Sequence, residues 1–191
     1  MEEKLRHLSI EKKLRYGFTS ILIATAIIFI AAIVSLGTVM IQFRNFYTTA
    51  YENDVLQMEI RKDIQVVGKM VLWSLTTDDT AITTEKLDLA DRYANNVVTN
   101  IEALESSYHN KAIITELNTA VADLNASRAE LITFARANNN TEALEIFNST
   151  YNDLTEKVQD ILIKIGNNSS ATADKDYMIS LVVGLIDVFV V

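Results

Sequence analysis

Six side chains in this sequence have the types needed to hold an anion. They are Arg61, Lys62 and Lys69, then Trp73, then Arg92 (with Tyr93 beside it) and Arg128. The chain is otherwise acidic, with a formal net charge of −8. Bases that gather at one place in such a chain suit a carboxylate ligand, and each Arg offers two parallel N–H donors to it. These six are therefore the candidate ligand-binding residues, expected in one half of a helical domain. The competing reading is ordinary pairing with nearby acids, for example Arg61 with Glu59 or Asp63.

A second polar set interrupts apolar stripes: Asn53 and Gln57 early in the chain, Asn168 and Thr172 late. A polar layer in a helical seam costs stability and fixes register. Asn53 and Asn168 are expected at the same height on adjacent helices, where the layer would leave the last helix freer to slide or rotate against the first.

Enzymatic chemistry has no constellation to stand on. The sequence has no Cys, so it offers neither disulfide nor thiolate. His7 and His109 are far apart, which argues against a His-based triad or metal site. The five glycines are isolated and form no phosphate loop. The carboxylates of Asp78 and Asp79 fall in a turn, where capping is the ordinary role. The expectation is a non-enzyme with no catalytic residues, no metal and no cofactor. The acidic balance also argues against nucleic acid as a partner.

The elements that would position these residues are long helices. Pro is absent, which favours unbroken helix. Apolar residues recur at steps of three and four, the heptad pattern. A first seam runs Phe43, Phe46, Ala50, Asn53, Gln57, Ile60, Ile64, Val67, Val71, Ser74. A second runs Leu87, Ala90, Ala94, Val97, Ile101, Leu104, Tyr108. A third runs Ile113, Leu117, Ala120, Leu124, Ser127, Leu131, Phe134. A fourth runs Leu144, Phe147, Tyr151, Leu154, Val158, Ile161, Ile165, Asn168, Thr172. The breaks between them are TTDDTAITT (residues 76–84), with Thr83 or Thr84 as the expected cap, then Tyr108–Asn110, then Asn138–Asn140, with Thr141 as the expected cap. Four seams joined by short turns predict an all-α, antiparallel four-helix bundle.

A different kind of stretch precedes the bundle. Phe18 to Ile41 is 24 residues without a charge. It would make roughly 36 Å of helix, more than the roughly 30 Å hydrocarbon core of a bilayer. A cleaved signal peptide would have a shorter apolar run. Before it, Lys4, Arg6, Lys12, Lys13 and Arg15 outweigh Glu2, Glu3 and Glu11, and between Gln42 and Tyr177 stand 12 basic against 21 acidic residues. Basic flanks stay on the cytoplasmic side. The expected organisation is a cytoplasmic tail over 1–17, a transmembrane helix over 18–41, an extracytoplasmic bundle over 42–177 and a partial second transmembrane helix over 178–191, in the inner membrane. That last segment carries Asp187 and is too short to span, so the chain is expected to be a fragment of a longer protein.

This order of tail, span, bundle and span resembles the sensory half of a bacterial methyl-accepting chemotaxis protein. The pieces that carry the resemblance most specifically are LSIEKKLRYGF leading into the span and LITFARANNNTEALEIF leading into the fourth helix, with Thr141-Glu142-Ala143-Leu144 at its start. The resemblance implies a chemoreceptor module that works as a homodimer through the first bundle helix. It implies a small-molecule ligand or a periplasmic binding protein as the signal, and a small shift of the fourth helix as the response. The linker, methylation region and kinase-binding tip of such receptors have no counterpart in these 191 residues. Similar modules also occur on membrane histidine kinases and diguanylate cyclases, and a ligand-free structural bundle is the third reading.

Overall fold

The computed structural model describes residues 9–190. The side chains of Asp176, Ser180, Leu181 and residues 183–190 fall outside the description, as does Met1–Leu8; the expectations for the first part of the tail and for Asp187 lie there. The described residues are helical with no strands. In chain order they are α1 (Ile10–Asn45), a π-helical turn (Phe46–Tyr51), α2 (Glu52–Ser74), α3 (Thr80–Ser107), α4 (Lys111–Arg136), the short α5 (Asn140–Ile146), a second π-helical turn (Phe147–Tyr151) and α6 (Asn152–Val190). Phe46–Ala173 forms one compact unit, and the segments on either side of it form another.

α1 carries the apolar run, and none of its described residues is buried. It is long and apolar enough to cross a membrane. Its hydroxyls fold back onto its own backbone: Thr19, Ser20, Thr25 and Thr38 donate to the carbonyls of Arg15, Tyr16, Ile21 and Val34 at 2.8–3.0 Å. A helix in hydrocarbon must satisfy its polar groups internally, and these four do so.

The bundle is built on the predicted seams. Leu87, Ala90, Ala94, Val97, Ile101 and Leu104 are all buried in α3, as is Tyr108 at its C-terminal cap. Ile60, Ile64, Val67 and Val71 face them from α2, Leu117, Ala120, Leu124 and Leu131 from α4, and Val158, Ile161 and Ile165 from α6. The expectation fails at both ends. Phe43 and Phe46 are exposed, not core. In α6 the buried stripe moves to Leu162 and Ser169, and Asn168 and Thr172 lie exposed. A straight helix drifts ~20° per heptad against a 3.5-residue repeat, so a strict heptad projected along α6 rotates off the core.

The turns have specific chemistry. Asp79 caps α3, its carboxylate accepting from the N–H of Ala81 at 2.8 Å and of Ile82 at 3.4 Å. The expected caps Thr83 and Thr84 already lie inside the helix, because the turn ends earlier than predicted. Asn110 caps α4 through Ile113 N–H at 3.4 Å. At the end of α4, Asn138 adopts a φ of 59°. Asn139 N–H reaches Phe134 O at 3.0 Å and Asn138 N–H reaches Ala135 O at 3.1 Å, the paired closure of a left-handed helix terminus. The next helix starts at Asn140 with Asn139 at its cap, so Thr141 is the second helical residue and not the cap.

Candidate functional site

Arg128 lies one position beyond the α4 seam residue Ser127, so its side chain leaves the core edge toward α3. There its Nη1 donates to Asp91 Oδ1 at 3.0 Å. Arg128 is only 18% exposed, whereas Asp91 is 43% exposed and sits at the solvent end of the pair. The guanidinium Nε is buried without a partner.

Tyr151 faces the same region from the opposite side. It closes the second π-helical turn and is 1% exposed. π-helical turns are rare and frequently sit at functional sites. Here the wider turn holds the rings of Phe147 and Tyr151 stacked, with centroids 5.3 Å apart. The Tyr151 Oη is also buried, beside the Thr155 hydroxyl but outside full hydrogen-bond geometry with it. Burial pushes the phenol up to about 12, with the charge of Arg128 and the Thr155 hydroxyl pulling the other way. The phenol therefore stays neutral and keeps a proton to donate.

Between these groups is a cavity of about 20 Å³, room for about one water-sized group. All four rods line it: Ile64 and Val67 from α2, Ala94 and Val97 from α3, Val121, Leu124, Asn125 and Arg128 from α4, and Tyr151. The Arg128 Nε is buried and unpaired, and such a donor costs about 1–3 kcal/mol. The arrangement suits an oxygen acceptor facing Arg128, on a wall that is apolar apart from Asn125 and Tyr151.

Of the six bases and aromatics expected to form a ligand site, only Arg128 lines this cavity. Arg61 donates to Gln159 Oε1 on α6 at 3.3 Å. Lys62 is exposed and lies 3.6 Å from Asp63. Lys69, seven residues on, shares that outer face. Trp73 is half-exposed and carries Lys86 Nζ 4.5 Å above its ring. Arg92 is exposed. Tyr151 was visible in the sequence only as a seam aromatic; the burial of its hydroxyl is a tertiary fact.

The residues expected in one polar layer make separate contacts. Asn53 is buried, and its Oδ1 accepts from Ser107 Oγ at 2.6 Å. Asn168 Nδ2 donates to Tyr108 Oη at 3.3 Å. The two asparagines thus both engage the α3–α4 turn, at consecutive residues. Gln57 Nε2 donates to Asp54 Oδ1 at 3.0 Å, and Thr172 Oγ1 donates to Asn168 O at 2.9 Å. The α6 residue against Gln57 is Gly166, where a Cβ would stand 3.0 Å from Gln57 Nε2.

An open groove of about 350 Å³ also runs along α4 and α6. Its lysines are already engaged, Lys164 with Glu116 at 3.8 Å and Lys157 with Asp123 at 4.0 Å. Among the described residues, no group of three His, Asp or Glu side chains could hold a metal ion.

A family model described as a four-helix-bundle sensory module for signal transduction matches residues 7–180. No curated protein and no solved structure matches the chain.

Proposed function

The chain belongs to the family of four-helix-bundle sensory modules for signal transduction, the sensory module of methyl-accepting chemotaxis proteins, and on that premise we propose that it is the sensory region of a transmembrane chemoreceptor. The observation that carries this reading is α1, uncharged from Phe18 to Ile41 with no buried residue, leading directly in sequence to the compact unit Phe46–Ala173. A helix that exposes this much apolar surface needs lipid around it. The basic residues before it hold the N-terminus in the cytoplasm, which leaves the acidic bundle outside the inner membrane. The module works as a homodimer, receives its signal from a small molecule or a periplasmic binding protein, and passes it inward for chemotaxis. A ligand achieves this by preferring one packing of the bundle over another.

The sequence has no Cys, so single substitutions report topology cleanly. Asn139→Cys in intact cells should react with a membrane-impermeant maleimide, and Ser9→Cys should react only after permeabilisation. The reverse pattern would overturn the reading.

A further inference from the structure

We propose that the cavity between Arg128 and Tyr151 is a binding site for a small monocarboxylate, with Asp91 as the resting partner of Arg128 that the incoming carboxylate displaces. The proposal rests on the sensory reading above, which calls for a ligand that changes bundle packing.

The chemistry of the walls selects the class. Arg128 is the one charged side chain lining the cavity, and its pairing with Asp91 at 3.0 Å shows that it accepts a carboxylate from the α3 side. Its Nε is buried and unpaired, and the Tyr151 Oη, beside Thr155, lies outside full hydrogen-bond geometry. A second carboxylate oxygen has both donors to engage. Apart from Asn125, the rest of the wall is aliphatic, including Val97, Val121 and Leu124. That wall accepts an alkyl tail, whereas a second ionised group would be buried there without a partner. A cationic ligand would meet the guanidinium charge. A dianion such as phosphate would bring more charge than one guanidinium compensates.

Size supplies the coupling. The cavity of about 20 Å³ admits a water-sized group at rest. A whole carboxylic acid fits only if α3, α4 and the Tyr151 turn separate slightly. Asp91 is the more exposed partner, so the ligand enters where Asp91 leaves. Binding thus favours an opened packing over the closed one, which is the differential affinity a sensor needs.

The test uses the full 191-residue chain in detergent micelles. Thermal unfolding is followed while acetate, propionate or butyrate is titrated at constant ionic strength, with alkylamines and inorganic phosphate as comparators. At least one monocarboxylate should raise the midpoint saturably, and the comparators should not. Asp91→Asn should lower the half-saturating concentration about two- to fivefold, because an exposed ion pair no longer competes. Tyr151→Phe should raise it about fivefold, the loss of one hydrogen bond. Arg128→Gln should abolish the shift; if that variant does not fold, Arg128→Lys keeps the charge without the fork and should weaken binding. Absence of a monocarboxylate shift in both the wild type and Asp91→Asn would sink the proposal, as would an equal response to phosphate or unchanged affinity in Arg128→Lys. The readout is independent of membrane orientation, so inverted maleimide labelling with an intact carboxylate shift would remove the topology alone.

Discussion

The ring of Tyr151 lies against the backbone of Gly68: a Cβ placed on Gly68 would stand 3.7 Å from Tyr151 Cε1 and 3.9 Å from its Oη. The contact joins the second π-helical turn to the middle of α2, beside the cavity that Ile64 and Val67 line. There is room for one methyl group and little more. Gly68→Ala should therefore stabilise the bundle by about 0.4–1 kcal/mol, since Ala loses less backbone entropy in a helix. Gly68→Leu should instead force the ring aside and cost about 1–3 kcal/mol. Denaturant midpoints of the two variants decide between the expected opposite signs.

Tyr151 also makes stability depend on alkaline pH. Its folded value is about 12 against an ordinary 10.0, so the folded state holds the proton more tightly than the unfolded state. The stabilisation is fully present below pH 10 and is lost as pH rises through 12, a loss of about 2–3 kcal/mol in all. Melting curves from pH 9 to 12 should show a steeper decline for the wild type than for Tyr151→Phe. Parallel declines would mean that the hydroxyl is not held as described.

The polar layer divides into a buried and an exposed half, and substitutions should separate them. Ser107 Oγ also reaches the carbonyls of Ala103 at 3.1 Å and Leu104 at 3.3 Å, so it stays satisfied when Asn53 is removed. Asn53→Leu then replaces a buried amide by apolar packing and should raise stability by about 1 kcal/mol. Asn168 is exposed, and Asn168→Leu should change stability by less than about 0.5 kcal/mol. Equal effects from the two would contradict the wiring through Ser107 and Tyr108.

Asn138 holds the left-handed terminus of α4 with φ at 59°. Asn138→Ala should cost about 1–2 kcal/mol, the penalty for a Cβ in that conformation without a local side-chain partner. Asn138→Gly should be neutral or stabilising. Amide exchange at Asn138 and Asn139, whose N–H groups close the turn at 3.1 and 3.0 Å, should speed up in the Ala variant.

Much of this protein is legible along the chain because the relevant physics is local. A run of 24 uncharged residues determines a helix that can cross a bilayer. Three-and-four spacing determines four rods and most of their buried faces, as the six buried seam residues of α3 illustrate. Asn138 and Asp79 declare a helix end and a cap by residue type. Pairing between rods is not written that way. Arg128 and Asp91, 37 positions apart, meet because α3 and α4 are neighbours at that height, and nothing in either helix's own pattern distinguishes Asp91 from the other acids. The azimuth of α6 depends on the drift accumulated from residue to residue, which exchanges Asn168 for Ser169 on the buried face. Whether the Tyr151 hydroxyl finds a partner depends on what three other helices place around it, and only the packed bundle decides that.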